Sequence, residues 1–76
     1  MKFSNGVYAQ ITFKDGSKSG YFADSRSVYD RLIDDFDHDT AAEAEGWTEM
    51  ACVGEIYEED EFEIEMVEAL YGKENY

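Results

Sequence analysis

The chain has 76 residues, 43% hydrophobic and 16% aromatic, with nineteen acids against six bases and a formal charge of −13 at neutral pH. That length holds one small domain, 1–76, able to bury about 60% of its unfolded surface, and its apolar content is too high for a disordered acidic tail. The acidity excludes a conventional phosphate-gripping nucleic-acid binder and disfavours an anionic membrane surface, which leaves a basic partner as the expectation.

Val7-Tyr8-Ala9-Gln10-Ile11-Thr12-Phe13 alternates with period two, so Val7, Ala9, Ile11 and Phe13 share a core face and Tyr8, Gln10 and Thr12 the other. Asp15-Gly16 then signals a hairpin turn. A two- or four-residue loop there sets a second strand, near Lys18 to Ala23, with Phe22 opposite Ala9 and Tyr21 opposite Gln10, so that Tyr21 stands beside Tyr8. Asp24 and Ser25 are good helix caps, and Val28, Tyr29, Leu32, Ile33 and Phe36 follow at helical spacing, predicting a first helix over about 26–36. Asp37-His38-Asp39 breaks it. Thr40-Ala41-Ala42-Glu43 reads as a capping box, opening a second helix to about Val53 with Ala44, Trp47, Met50 and Ala51 on its buried stripe. Gly46 weakens that helix by roughly 1 kcal/mol relative to alanine, and Gly54 reads as its C-terminal cap.

Glu61-Phe62-Glu63-Ile64-Glu65-Met66 alternates strictly and predicts a strand with Phe62, Ile64 and Met66 inward and a carboxylate face outward. Ala69, Leu70 and Tyr71 either finish it or start a last turn. The order ββααβ predicts an α+β two-layer domain: a three-stranded antiparallel sheet, last strand beside the first, packed on two helices. Phe3, Phe13, Phe22, Phe36, Phe62 and Trp47 are read as core, as is Cys52 within its apolar Met50–Gly54 stretch.

Charge is polarised along the chain. Residues 1–33 carry five bases and three acids, whereas residues 34–76 carry sixteen acids and one base, Lys73. An ordinary small domain interleaves both signs, and such one-signed crowding costs stability through self-repulsion. Two runs stand out beside the glutamate strand: Asp34, Asp35, Asp37 and Asp39 between the helices, and Glu58, Glu59, Asp60 and Glu61 leading into the last strand. Alternate side chains along a strand repeat at about 6.6 Å, so Glu61, Glu63 and Glu65 make a row of negative groups comparable to a phosphodiester strand. Arginine forks pair with carboxylates as they do with phosphates. The pattern points to a nucleic-acid mimic that competes for a basic groove. The competing reading of the glutamate row is the solvated side of a sheet, and Tyr8 and Tyr21 are equally consistent with a contact patch or a simple cover for that side.

No motif supports catalysis. His38 is the sole histidine and reads as a loop residue, no serine sits in a nucleophile elbow, and no glycosidase-type carboxylate pair can be selected among nineteen acids. Asp35, Asp37 and Asp39 match the first positions of a calcium loop, but Thr40 stands where the turn glycine belongs and Gly46 where the bidentate glutamate belongs. No cofactor and no dedicated metal site are therefore expected. No apolar run approaches the roughly 18 residues of a membrane span, Met1–Gly6 lacks the apolar stretch of a signal peptide, and the single cysteine, Cys52, fits a reducing cytoplasm.

In its small size, its charge of −13 and its acidic runs Asp34–Asp39 and Glu58–Glu65, the chain resembles the small acidic inhibitors that phages encode against host defence, especially anti-CRISPR proteins that mimic DNA. The resemblance covers the character of the whole chain and aligns no motif. It implies a non-enzymatic inhibitor in the host cytoplasm that occupies the basic target-DNA or PAM-reading surface of a CRISPR effector. Its contact residues would be Asp34, Asp35, Asp37, Asp39, Glu58, Glu59, Asp60, Glu61, Glu63 and Glu65. Allosteric inhibition and dimerisation of the target also occur within that class. The alternative expectation is a generic acidic interaction or accessory domain, homodimeric through the Tyr8/Tyr21 sheet face.

Overall fold

The computed structural model describes residues 1–68. The elements run β1 (Val7–Phe13), β2 (Lys18–Phe22), α1 (Ser25–Asp35), α2 (His38–Met50), β3 (Ile56–Glu58) and β4 (Phe62–Glu68). The expected class holds, a small α+β domain with two helices on an antiparallel sheet. Among the described residues, however, the sheet has four strands rather than three, in the order β2-β1-β4-β3, and the element order is ββααββ. The last strand does pair with the first: Ala9 faces Met66, Ile11 faces Ile64 and Phe13 faces Phe62. Expectations for Ala69, Leu70 and Tyr71 lie outside the described residues.

The core sits between the helices and the inner sheet face. Ala9, Ile11, Phe62, Ile64 and Met66 are buried there against Val28 and Leu32 of α1 and Ala41 and Ala44 of α2. Phe3 is buried with them, whereas Phe13, Phe22, Phe36 and Trp47 are half-buried at the margin. The stripe of α2 is rotated from its expected position. Ala41, Ala44 and Thr48 face inward, and Met50 is 83% exposed. Small residues let α2 approach closely, and the Thr48 hydroxyl, 2.7 Å from the Glu45 carbonyl, donates back along the helix and leaves no polar atom stranded.

The first hairpin has a three-residue loop rather than the expected two or four. The Phe13 amide donates to the Ser17 carbonyl, and Gly16 takes φ +90 between them. That loop by itself shifts β2 by one residue, which would turn its side chains over. A bulge between Gln10 and Thr12 restores the register, so Phe22 still faces Ala9 and Tyr21 still faces Gln10. At the bulge the Ser19 hydroxyl, 2.9 Å away, accepts from the Ile11 amide.

Two helix starts rest on aspartates. Asp24 Oδ1 accepts from the Ser27 amide at 2.8 Å and Asp37 Oδ1 from the Thr40 amide at 2.9 Å. The second cap is therefore Asp37, not Thr40, and His38 opens the helix instead of standing in a loop. Its Nδ1 lies 2.8 Å from the Tyr29 hydroxyl. Hydrogen bonds from Ser27 and Thr40 hold the two capping carboxyls below the usual carboxylate range. Depressed folded values mean that this stabilisation is complete above the unfolded value of about 3.9 and is lost as pH falls through the folded values. Asp37→Asn keeps an acceptor and loses the titration. It is expected to leave the neutral-pH Tm nearly unchanged and to flatten the loss of stability below about pH 4. Asp37→Ala, without the acceptor, should lower the neutral-pH Tm by about 4–8 °C. Thermal melts across pH check both.

Beyond Met50 the chain leaves the helix earlier than expected. Ala51 is extended, the Cys52 amide donates to Glu55 Oε1 at 2.8 Å, and Gly54 takes φ +94 in a turn. The Gly54 amide then donates to the Met66 carbonyl of β4. Gly54 thus stands in the turn that leads into β3 rather than capping α2, and Cys52 is exposed rather than core.

Candidate acidic interface

The β3–β4 hairpin builds the site. Its turn is tight: the Glu59 amide donates to the Phe62 carbonyl across Asp60 and Glu61. On β3 and β4 Ile56 faces Glu65, Tyr57 faces Ile64 and Glu58 faces Glu63. The bonds to β4 come from Glu55 and Glu59, so the alternation of an antiparallel ladder makes Glu58–Glu63 a non-hydrogen-bonded pair. Opposed Cα atoms are closest there, about 4.5 Å apart. Glu65 lies one pleat farther on, about 6.8 Å along the strand. Glu58, Glu63 and Glu65 are exposed and stand on the sheet face opposite α1 and α2. Gln10 and Thr12 continue the rows onto β1, opposite Glu65 and Glu63, and Tyr21 and Lys18 continue them onto β2.

The second acidic run arrives from the helical layer. Phe36, in the link between α1 and α2, packs its ring 5.2 Å from that of Phe62 at the start of β4. This contact brings Asp34, Asp35, Asp37 and Asp39 to the end of the domain where Glu58, Glu59, Asp60 and Glu61 turn. All ten predicted residues are exposed. They do not form one plane: the aspartates lie on the helical layer, Glu58, Glu63 and Glu65 on the opposite sheet face, and Glu59, Asp60 and Glu61 on the rim between. A shallow depression of about 250 Å³ at this rim is lined by Thr12, Phe13, Lys14, Glu59, Asp60, Phe62 and Glu63.

Few cations answer these acids. Lys14 Nζ is 3.8 Å from Glu61 Oε2, and Arg31, which lies over the Phe13 ring, pairs with Asp35. Asp37 is occupied as a cap. Among the described residues the other seven make no ion pair.

A group missed in the sequence reading ties the rim to α2. The Tyr57 hydroxyl lies 2.9 Å from Glu43 Oε1 and 2.8 Å from Glu59 Oε2. Its ring packs against Trp47 at 5.3 Å and Phe62 at 6.3 Å. Burial, and then the carboxylates of Glu59 and Glu43, hold this phenol well above its ordinary range. Glu43 is therefore a partner of Tyr57 rather than half of a capping box. The signal for it was Tyr57 itself, because a half-buried tyrosine needs a partner for its hydroxyl. Ile56, 48% exposed beside Glu65, was also missed.

On the rest of that sheet face, Tyr8 is half-buried, Tyr21 is 47% exposed and their ring centroids are 6.0 Å apart. Among the described residues no helix is long and apolar enough to cross a membrane. Comparison with known proteins finds no matching family model, no matching curated protein and no matching solved structure.

Proposed function

We propose that this chain is a non-enzymatic inhibitor whose acidic end occupies a basic nucleic-acid-binding site of a defence protein such as a CRISPR effector. The observation that carries the reading is the cross-strand pair Glu58–Glu63, with Glu65 one pleat away and no ion pair to any of the three among the described residues. Like charges directly opposite in a sheet are destabilising. A face built only for hydration gains nothing from such an arrangement, since one lysine would relieve it. A cationic cleft gains attraction, register and a fast encounter from it. The two clusters at the rim widen the footprint, and the tyrosines on the same sheet face add contact area of the kind interfaces favour.

The test is competition. Labelled DNA bound to a basic effector should be displaced by the protein at low salt and much less at high salt. The Glu59→Lys/Asp60→Lys variant should displace it at least about tenfold less well. Undiminished DNA binding with every basic partner tried removes the mimicry. A second reading rests on the Tyr8/Tyr21 face: an accessory domain that dimerises there. A salt-independent dimer in sedimentation would select it.

A further inference from the structure

We propose that the outer edge of β3 captures a basic, extended segment of the partner by strand addition, so that the sheet gains a further strand. The inference rests on the acidic-interface reading above and names the element of the partner that is held. Among the described residues β3 is the terminal strand of the sheet. Its neighbours Glu55 and Glu59 direct their ladder groups to β4, so the N–H and C=O of Ile56 and Glu58 point to the open side. Two donors and two acceptors at strand spacing are a template for another chain.

The two edges of this sheet are defended differently. β2 is bulged opposite Gln10–Thr12. Its Ser19 carbonyl accepts from the Gln10 side chain at 3.3 Å and its Gly20 carbonyl from the Ser19 hydroxyl at 2.7 Å. These bonds lie on the β1 side, and it is the bulge that interrupts the regular run of outward groups a pairing strand needs. β3 pairs with β4 without a register shift, and what guards it is charge: Glu55, Glu58 and Glu59 flank an exposed Ile56. Charge is a selective guard. It repels a second copy of a chain carrying −13 and attracts a strand with arginine or lysine at alternate positions. On the outer face such a strand sets its cations beside Glu58, with Glu63 on the next strand. Its intervening apolar residues fall on the inner face, beside Tyr57.

The experiment uses the intact protein and two short synthetic peptides of alternating arginine and valine. They are identical in charge, but one is N-methylated at every residue so that neither of its edges can pair as a strand. The unmethylated peptide is expected to bind at least about tenfold tighter and to slow amide exchange at Ile56 and Glu58. Ile56→Pro removes one outward-facing N–H and no ladder bond, a placement that edge strands tolerate, and should erase the difference between the peptides. Equal affinities without protection at Ile56 and Glu58 overturn strand addition while leaving the charge reading intact. Failure of both peptides to bind at low salt overturns both. Concentration-dependent protection of these amides in the free protein assigns the edge to a second copy and likewise overturns the proposal.

Discussion

Replacing Glu58 by lysine is expected to make the domain more stable and its partner binding weaker in the same molecule. Glu58 opposes Glu63 at a non-hydrogen-bonded position, where side chains on neighbouring strands are closest. A like-charged pair there is unfavourable and an opposite-charged pair favourable, each by roughly 0.2–1 kcal/mol. The exchange therefore shifts stability by about 1 kcal/mol, or a Tm rise of about 4–8 °C for a domain of this size. Added salt should raise the Tm of the parent protein and raise that of Glu58→Lys less, because the repulsion it screens has been removed. Binding moves the other way. A carboxylate facing a guanidinium becomes an ammonium facing one, and close interfacial charge pairs are coupled by at least about 1.5 kcal/mol, so affinity should fall more than tenfold. Melting curves and a titration against the same basic partner measure the two effects. Stabilisation with unchanged affinity would show that position 58 lies outside the contact. A residue whose best replacement for folding is its worst for binding is held by function, and this separates the acidic interface from a merely hydrated sheet.

The sequence carried most of the fold because strict alternation has one physical meaning. Val7–Phe13 and Phe62–Met66 each present one apolar and one polar face, and only a strand covered on one side accommodates that. The position of Phe22 and Tyr21 was legible only through compensation: the Asp15-Gly16 turn closes a loop of odd length, and the Ser19 bulge cancels the slip. β3 escaped because three residues cannot establish a period, and because Ile56 points outward while the inward residue is the amphipathic Tyr57. Its turn also lacks the usual punctuation. Asp60 and Glu61 stand where glycine or asparagine would announce a hairpin, and neither has positive φ. The acidic runs were visible in composition, but their meeting at one end depends on the Phe36–Phe62 contact, a tertiary fact. The same holds for the cap. Asp37 and Thr40 are both good cap residues. Met50 was placed inward by the spacing of large apolar residues, whereas α2 packs through the small residues Ala41 and Ala44 with Thr48.

Truncating Ile64 to alanine is expected to have the largest effect on folding. Ile64 is fully buried at the centre of the sheet, facing Ile11 on one side and Tyr57 on the other. Buried isoleucine-to-alanine changes cost about 2–5 kcal/mol. At roughly 0.05–0.15 kcal/mol per residue, a chain this short has about 4–11 kcal/mol in total, and its acidic self-repulsion argues for the low end. Ile64→Ala should therefore lose most of its cooperative melt at physiological temperature, with partial recovery in high salt as the carboxylates are screened. Ile64→Val, at about 0.5–1.5 kcal/mol, should keep a cooperative transition at lower temperature. Met50→Ala is the control that makes the pair diagnostic, because that side chain projects from the last turn of α2 at 83% exposure and its loss should stay within about 0.5 kcal/mol. Comparable losses at Met50 and Ile64 would mean that α2 packs on the sheet through the Met50 stripe, which would separate Tyr57 from Glu43 and rearrange the rim from which the acidic site is built.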